Sequence, residues 1–413
     1  MPYDVVVVGA GLAGLECARS LHARGVDVRL LEAGDAVGGR VRTDHVDGFT
    51  LDRGFQVLNP AYPAVRTRVD VAALDLRRLV PGVAVRNHRG LTLLADPRRA
   101  PRLIGRTLTS GYLRPGELLA LARWAAPALG PVRRLLAASD GTLARSLADA
   151  HVDGRLRREV LEPFLAGVLA EDDGSTSARL VRLLVRSFLL GTPGVPAAGM
   201  GALPAQIAAH IPDLTLSTRV DRVQRVDGTY RLATPAGSVT SRAVVVATDP
   251  VTAEALTGER APAMKGLVTF WYATDEPPTT RPVIVVDGRR TGPVVNAAVM
   301  SAAAPSYAPQ GLHLVQVTCL LDGQSPPEAV VRRQAGEMFG VSTSSWREIH
   351  RHLLHGALPA QPPPLVVRRP VDLGSGLFVC GDHRDTASLQ GAMVSGRRTA
   401  SAVSRRLGLK PSG

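Results

Sequence analysis

The sequence predicts an α/β fold built on a Rossmann-type dinucleotide-binding domain, and two observations near its start support this prediction. The apolar, β-branched run Val5–Val8 leads into the glycine loop Gly9-Ala-Gly-Leu-Ala-Gly14 and then into a helical stretch over Leu15–Arg24. Such a run is typical of a strand buried on both faces of a parallel sheet. The glycines allow a tight turn, and the helix N-terminus that follows can bind a pyrophosphate. A second strand, Val26–Leu31, ends at Glu32, near the ~20-residue spacing expected of the acid that binds a ribose hydroxyl.

A second glycine motif, Gly38-Gly39-Arg40-Val-Arg42, follows soon after this strand. Adjacent glycines permit close backbone approach, and the two arginines supply rigid cationic forks suited to phosphate. Together with the first loop, this motif resembles that of the flavoprotein family of monoamine oxidases, protoporphyrinogen oxidases and phytoene desaturases. In that family the motif holds FAD, so the resemblance implies FAD as the cofactor.

The resemblance extends to later segments and implies where each would lie. Asp52–Val57 matches the segment that lays its backbone against the isoalloxazine ring, and Val220 matches a backbone contact to adenine. Near the C-terminus, a buried strand ending at Gly381-Asp382 and a helix running from Ser388 to about Arg406 would close over the ribityl and pyrophosphate groups. The start of this helix would face the flavin pyrimidine, where a helix N-terminus stabilises the negative charge of reduction.

The predicted FAD-contacting residues therefore come from both ends and the middle of the chain. They are Gly9, Gly11, Leu12, Ala13, Gly14, Glu32, Ala33, Gly38, Gly39, Arg40, Arg42, Gly54, Phe55, Gln56, Val57, Val220, Gly381, Asp382, Gln390, Gly391 and Ala392.

This distribution predicts a discontinuous FAD-binding domain with an inserted α+β substrate domain. We assign residues 1–75, 196–260 and 350–413 to the FAD-binding domain and residues 76–195 and 261–349 to the substrate domain. Sequence patterns in the substrate domain predict helices over Glu117–Ala126, Val132–Ala138, Leu156–Leu165 and Ala178–Leu190, and strands around Leu267–Tyr272, Val283–Val286 and His313–Leu320.

Composition limits the partners and the location. The 413 residues are 45% hydrophobic and 21% charged, which is ordinary for a globular protein. The net charge of +13 could indicate nucleic-acid binding, but the basic residues are spread along the chain and all except Lys265 and Lys410 are arginine. With no zinc-finger pattern, basic tail or RNA-binding aromatic motif, we expect no nucleic-acid partner.

Cysteine usage and the distribution of apolar residues favour a cytoplasmic protein. Cys17, Cys319 and Cys380 lie far apart in apolar stretches, which predicts free core thiols and no metal site. No signal peptide and no membrane-spanning run of ~18 apolar residues is expected. The basic, apolar helix Ala178–Leu190 has two interpretations: peripheral membrane contact, or a core helix whose arginines extend outward to solvent. The second is favoured.

The predicted chemistry is removal of hydride from a C–C or C–N bond, with O2 or another acceptor reoxidising the flavin. Flavin chemistry needs no strong acid–base dyad, and none is evident, so no catalytic side chain is assigned. The amine-oxidising relatives place an aromatic residue at the position of Ser388, and some attach FAD to a cysteine upstream of the last strand. No cysteine lies between Trp346 and Phe378, which predicts non-covalent FAD.

These departures favour a dehydrogenase or desaturase acting on a mostly apolar small molecule. The alternatives are a flavin amine oxidase, a non-redox FAD-dependent isomerase and a non-catalytic flavin-binding partner. Lys265 matches the lysine that positions a water near the flavin in amine oxidases, although a surface lysine at a strand start is the simpler interpretation. His45 and His383 flank expected flavin-contacting segments and are interpreted as surface or loop residues. The oligomeric state is not predicted.

Overall fold

The computed structural model describes residues 2–408. The strands, in chain order, are β1 Tyr3–Val8, β2 Val28–Leu31, β3 Thr43–Val46, β4 Phe49–Asp52, β5 Leu76–Arg78, β6 Gly82–Asn87, β7 Gly90–Ala95, β8 Gly194–Pro196, β9 Leu214–Thr215, β10 Arg222–Val226, β11 Thr229–Thr234, β12 Gly237–Val246, β13 Met264–Thr274, β14 Ile284–Asp287, β15 Val294–Val299, β16 His313–Leu320, β17 Arg347–Pro359 and β18 Leu377–Val379.

The α-helices, in the same order, are α1 Leu12–His22, α2 Pro63–Arg68, α3 Ile104–Leu108, α4 Pro115–Ala125, α5 Val132–Ala137, α6 Leu143–Asp149, α7 Glu162–Leu169, α8 Ala178–Leu190, α9 Ala202–Ala208, α10 Pro250–Thr257, α11 Met300–Ala303, α12 Glu328–Phe339 and α13 Leu389–Arg406. A π-helical turn, Arg157–Leu161, precedes α7.

The first sheet is the predicted Rossmann-type unit. Its strand order is β10-β11-β12-β1-β2-β9, with β18 also paired to β12. β1 runs parallel to both β2 and β12, pairing Val5 with Val28 and with Ala243. Val5, Val6 and Val7 are fully buried, because elements cover both faces of the sheet. The predicted first two strands are thus confirmed. α1 begins at Leu12, inside the glycine loop, so that Gly14 is already helical.

Close packing explains two glycines of this domain. A Cβ on Gly14 would lie 1.9 Å from the carbonyl oxygen of Gly9, and one on Gly396 would lie 2.2 Å from the carbonyl oxygen of Ala13. α1 therefore approaches β1 on one side and α13 on the other at distances that only glycine permits. The first and last helices of the chain thus pack together beside the parallel sheet.

The second sheet has the order β17-β13-β16-β15-β14-β6-β7 and is antiparallel apart from the parallel pair β6–β14. Side chains alternate between its faces along each strand. On one face, Val268, Phe270 and Tyr272 of β13 pack in one core cluster with residues of α12. The opposite face carries Thr269 and Trp271 and lies against the Asp52–Val57 segment and α7.

Several elements of this region differ from the sequence-based expectation. β16 and α8 have the predicted bounds, but only helices were predicted for residues 76–195, where the structure has the β6–β7 hairpin. This hairpin joins the sheet through parallel pairing with β14, about 200 residues later in the chain. Non-local pairing of this kind leaves only a short alternation of apolar and polar residues in the local sequence, and that alternation was too short to predict the strands.

The predicted properties of the cysteines agree with the structure, since Cys17, Cys319 and Cys380 are free and buried. Within residues 2–408, no helix is long and apolar enough to cross a membrane. The same residues contain no group of three or more His, Cys, Asp or Glu side chains arranged to hold a metal ion.

Candidate functional site

The two glycine motifs lie side by side at the carboxyl end of β1. The amide of Gly38 donates to the carbonyl oxygen of Ala10 at 2.8 Å, and a Cβ on Gly39 would lie 3.3 Å from Cα of Gly11. Gly9 has φ +104°, and a Cβ there would lie 2.8 Å from the carbonyl oxygen of Ala247. At Gly11, in contrast, a Cβ would meet nothing within 4 Å, so its glycine character serves no packing need of the protein itself. Open space beside this loop is what a bound pyrophosphate requires.

Glu32 places its carboxylate at the mouth of the first loop. Its Oε2 accepts from the amide of Ala10 at 2.6 Å and its Oε1 from the amide of Gly34 at 2.8 Å. Val220, the predicted adenine contact, lies in the loop between β9 and β10 and not within a strand. Its side chain is buried, and its backbone groups make no hydrogen bond within the described residues, which leaves them free for a base.

The two arginines of the second motif diverge. Arg40 bonds through Nη2 to Oδ1 of Asp382 at 2.6 Å and through Nη1 to the carbonyl oxygen of Ala357 at 3.0 Å. This ion pair joins the N-terminal and C-terminal parts of the predicted site. Arg42 instead pairs with Asp35 at 2.9 Å, beside the loop that follows β2. The structure therefore puts the two cationic groups at different parts of the same site.

The segment predicted to face the flavin is fixed by a buried carboxylate. Asp52 accepts from the hydroxyl of Thr43 at 2.6 Å, the amide of Met200 at 2.8 Å and the hydroxyl of Tyr307 at 2.8 Å. Burial raises the pKa of Asp52 to about 6, against the opposing effect of these three donors. Asp52 thereby ties the β3–β4 hairpin to Met200, just before α9, and to Tyr307, in the turn before β16.

Residues after Asp52 pass across the second sheet. Gly54 has φ +87°, and a Cβ there would lie 2.6 Å from Cδ1 of Leu354. The side-chain amide of Gln56 donates to the carbonyl oxygens of Arg40 and Arg53 at 2.7 and 2.8 Å. Phe55 and Val57 pack in the cluster around Trp271. The segment is thus held by the second glycine motif and by the second sheet, and it can support a planar ring.

The start of α13 completes the assembly. Ser388 is its N-cap, and the hydroxyl accepts from the amide of Gly391 at 3.0 Å. A Cβ on Gly391 would lie 1.9 Å from the carbonyl oxygen of Thr386, so the glycine is required by the turn itself. The side chain of Gln390 accepts from the amide of Ala64 at 2.8 Å. Because the side chain of Gln390 is engaged in this bond, only its backbone is available for the predicted cofactor contact.

Lys265 fits neither of its sequence-based interpretations. Its side chain is 14% exposed, so it is not a surface lysine. Its ammonium bonds to the carboxylate of Glu171, to the hydroxyl of Thr176 at 2.8 Å and to the carbonyl oxygen of Leu169 at 3.3 Å. These partners use all three N–H groups of the ammonium, so none remains to hold a water. Lys265 instead anchors the α7–α8 loop to β13.

The histidines that flank the flavin-contacting segments differ from each other. His45 is exposed, as expected. His383 is buried, and burial lowers its pKa to about 4. It therefore stays neutral at physiological pH and is not the surface residue that the sequence suggested.

A buried histidine missed in the sequence lies beneath the β3–β4 hairpin. Trp271 Nε1 donates to Nδ1 of His352 at 2.9 Å, so Nε2 carries the proton and donates to Asp44 at 3.0 Å. Although burial opposes it, bonds from Arg53 and His352 lower the pKa of Asp44 to about 2. This chain of bonds joins the hairpin to the middle of the second sheet. Residues from β3, β13 and β17 share no sequence motif that could have revealed it.

The residues brought together here fit FAD. They include an open glycine loop at a helix N-terminus, an acid at the end of the second strand, an arginine paired with a C-terminal aspartate, and a second helix N-terminus facing the same space. These features suit a ligand with a pyrophosphate, a ribose and a ring that gains negative charge. The individual contacts remain predictions.

Comparison with known proteins gives the family. The family described as flavin containing amine oxidoreductase matches residues 12–404. Putrescine oxidase of Kocuria rosea is 49% identical over 72 residues, 17% of this chain and 15% of its own. Protoporphyrinogen oxidase 2 of Arabidopsis thaliana is 27% identical over 183 residues, which are 42% of this chain and 34% of its own. Hydroxyneurosporene desaturase of Rubrivivax gelatinosus is 38% identical over 111 residues, which are 25% of this chain and 21% of its own. The matched segments span well under two thirds of these relatives.

Solved structures show the same fold over nearly the whole chain. An oxidoreductase from Methanosarcina mazei superposes with a TM-score of 0.73 at 17% identity, covering 96% of this chain and 100% of its own. Cyclohexylamine oxidase from Brevibacterium oxydans IH-35A gives 0.69 at 17% identity, covering 99% and 100%. The chain belongs to the flavin containing amine oxidoreductase family. It is an FAD-dependent oxidoreductase. That FAD is bound without a covalent bond stays a prediction.

We expect Gly11→Val to lose FAD while keeping the fold, because the new side chain enters only the open space beside the loop. The control is Gly14→Val, whose Cβ would lie 1.9 Å from the carbonyl oxygen of Gly9 and should destabilise the fold. FAD content after desalting and thermal unfolding separate the two effects. A folded Gly11→Val protein with normal FAD content would show that this loop does not bind the cofactor.

We expect Lys265→Met to lower the free energy of unfolding by about 3–5 kcal/mol, because it leaves the buried carboxylate of Glu171 unpaired. The double variant Lys265→Met/Glu171→Gln should recover part of this loss, as measured by denaturant titration. If Lys265→Met keeps full stability and instead slows flavin reoxidation, Lys265 acts on a flavin-bound water and not as an anchor.

Proposed function

We propose that this oxidoreductase removes hydride from a C–C bond of a neutral, mostly apolar small molecule, in the manner of a dehydrogenase or desaturase. The observation that supports this proposal is the character of the second sheet where it lies against the Asp52–Val57 segment. Around Thr269 and Gln316, that face carries apolar and neutral polar side chains of β13, β15 and β16, and none of them is acidic.

The polar side chains on this face form one buried chain of hydrogen bonds. The hydroxyl oxygens of Thr269 and Thr318 are 2.9 Å apart. The amide nitrogen of Gln316 donates to Thr318 and to Asn296, each at 2.8 Å. Thr269 is also the sheet residue whose hydroxyl would lie 4.0 Å from a Cβ on Gly54, beside the flavin-facing segment. All four side chains are neutral and buried.

An ammonium substrate would find little compensation here. Within the described strands β13, β15 and β16, the residues beside Thr269, Gln316 and Asn296 on this face are not acidic. The buried carboxylate of Glu171 is already paired with Lys265. Burying an unpaired cation is costly. The serine at position 388, used as a helix cap, also provides no aromatic wall for an amine.

The protein's own contribution is placement and exclusion of water. FAD, when bound, supplies the acceptor for the hydride. The α13 N-terminus would stabilise the negative charge of the reduced ring, and the Asp52–Val57 segment would orient it. The desaturase among the relatives acts on a compound that its name identifies as a neurosporene, which agrees with an apolar substrate.

Amine oxidation is the second candidate, because putrescine oxidase has the highest identity among the relatives reported above over its short match. A non-redox isomerase or a non-catalytic flavin-binding partner would bind FAD equally well. Anaerobic mixing with pools of polyenes and of amines separates these cases, since only a redox substrate bleaches the flavin.

We also propose the predicted division into two domains, with one adjustment. β17 pairs with β13 along most of its length, so residues 347–359 are placed with the substrate domain although residues from 350 onward were first assigned to the FAD-binding domain. The remaining segments, 1–75, 196–260 and 360–413, form the proposed FAD-binding domain. The predicted cofactor contacts then all lie in the FAD-binding segments.

We expect simple primary monoamines to reduce the flavin slowly or not at all, because the flavin side of the second sheet offers no anionic partner. Ser388→Tyr should gain little monoamine activity, and it should also lose the helix cap, at a cost of about 1 kcal/mol. Stopped-flow reduction of the flavin by benzylamine measures the monoamine activity of the wild-type and the variant protein. Rapid reduction of the wild-type flavin would make amine oxidase the leading function.

We further propose a cytoplasmic protein in peripheral contact with an anionic membrane, through a surface other than α8. The arginines of α8 turn inward: Arg182 bonds to the carbonyl oxygen of Trp124 at 3.0 Å and Arg186 to that of Ala128 at 2.7 Å. Their outward extension, expected from sequence, is wrong. α8 therefore binds residues 101–139 through its arginines, and it is not itself the surface proposed to contact the membrane.

Residues 101–139 form a basic and apolar surface. Half of the exposed large apolar side chains in the described chain lie here, namely Ile104, Leu108, Leu118, Leu119, Leu129 and Val132. The same segment exposes Arg102, Arg106, Arg114, Arg123, Arg133 and Arg134. Its one acid, Glu117, accepts from the backbone amides of Arg155 and Leu156. Apolar side chains ringed by arginine suit the interface of an anionic bilayer.

We expect the protein to float with phosphatidylglycerol-containing vesicles and not with phosphatidylcholine vesicles. Leu108→Ser/Leu119→Ser/Leu129→Ser should weaken binding by about tenfold or more. Val251→Ser is the control, because Val251 is 62% exposed, like Leu108 at 63%, but lies in α10. Absence of flotation, or self-association that the triple variant abolishes, would contradict membrane contact.

A further inference from the structure

A buried glutamine links the substrate side of the molecule to the helix that faces the flavin. Gln361 follows β17 and is 7% exposed. Its side-chain nitrogen donates to the carbonyl oxygen of Asp385 at 2.7 Å, and its side-chain oxygen accepts from the amide of Ala387 at 2.8 Å. One side chain therefore satisfies two backbone groups in the loop before α13.

This loop and the first turn of α13 form one rigid unit. Thr386 and Ser388 share a hydroxyl hydrogen bond of 3.0 Å, and Ser388 caps the helix through the amide of Gly391. The carbonyl oxygen of Thr386 lies so close to Gly391 that no Cβ fits between them. A displacement of the loop therefore displaces the helix N-terminus with it.

Gln361 is itself held from the other side. Its carbonyl oxygen accepts from the amide of Ser177, the N-cap of α8, at 2.9 Å. Asp140 accepts from the hydroxyl of Ser177 at 2.8 Å and from the amide of Leu365 at 2.7 Å. Residues 360–365, which follow β17, are thus bonded to the start of α8 and to Asp140. They are fixed in place before the chain reaches α13.

We propose that Gln361 is a positioning residue that aims the N-terminus of α13 at the flavin and so helps set its reduction potential. The inference rests on the proposed function, with the α13 N-terminus at the flavin ring. A helix N-terminus favours the reduced, more negative ring only while its free amides point at it. Without the two bonds of Gln361, the loop loses its side-chain link to the connection after β17, and the amides lose their alignment.

The test uses Gln361→Met, which keeps the length of the side chain and removes both hydrogen bonds. Gln206→Met is the matched control, because Gln206 makes the same kind of paired bonds, to the amide and carbonyl oxygen of Asp70, at the surface. The flavin is reduced anaerobically in equilibrium with a reference dye. We expect Gln361→Met to shift the equilibrium toward oxidised flavin by about fivefold, and Gln206→Met to leave it unchanged.

Amide hydrogen exchange of the FAD-free protein provides a second readout. Exchange should accelerate at Ala387 and Gly391 in Gln361→Met and not in the control. An FAD-loaded Gln361→Met protein with the wild-type dye equilibrium overturns the inference. If the variant retains no FAD, a uniform rise in exchange along the chain overturns it, whereas a rise confined to residues 385–391 supports it. A wild-type protein that binds no FAD would instead refute the proposed function.

Discussion

The ion pair between Arg40 and Asp382 is the interaction on which the rest of the site depends. It joins two residues 342 positions apart, one in the second glycine motif and one after the last strand. Arg40 also bonds to β17 of the second sheet. A single guanidinium thus links both ends of the nucleotide-binding sheet and the substrate side. Because Asp382 is buried, removing Arg40 would leave its carboxylate unpaired in the interior.

Around this pair, the molecule uses backbone hydrogen bonds and buried neutral amides more than exposed charges. Asp52, Gln56, Gln361 and His352 each connect segments far apart in sequence through bonds to backbone or to another buried side chain. Such bonds between distant segments fix geometry, since each would be costly if its partner moved. A flavoprotein needs this rigidity more than it needs an acid or base, because the cofactor carries the chemistry.

The two faces of the second sheet have different roles. One packs against α12 as an ordinary apolar core. The other bears the hydrogen-bonded row of Thr269, Thr318, Gln316 and Asn296, and the side-chain oxygen of Gln316 is buried there without a partner in the described residues. An unpaired buried acceptor is unusual in a protein interior.

The sequence by itself determined the nucleotide-binding half. Strand, glycine loop, helix, second strand and Glu32 are contiguous, so their local pattern suffices to predict a parallel βαβ unit, and the Gly38–Arg42 motif identifies the cofactor through its resemblance. Only the tertiary structure decided the rest. The β6–β7 hairpin pairs with a distant strand, Lys265 meets Glu171 across 94 positions, and the His352–Asp44 bond spans 308. These contacts depend on which segments the fold brings together, and neither periodicity nor residue type records that.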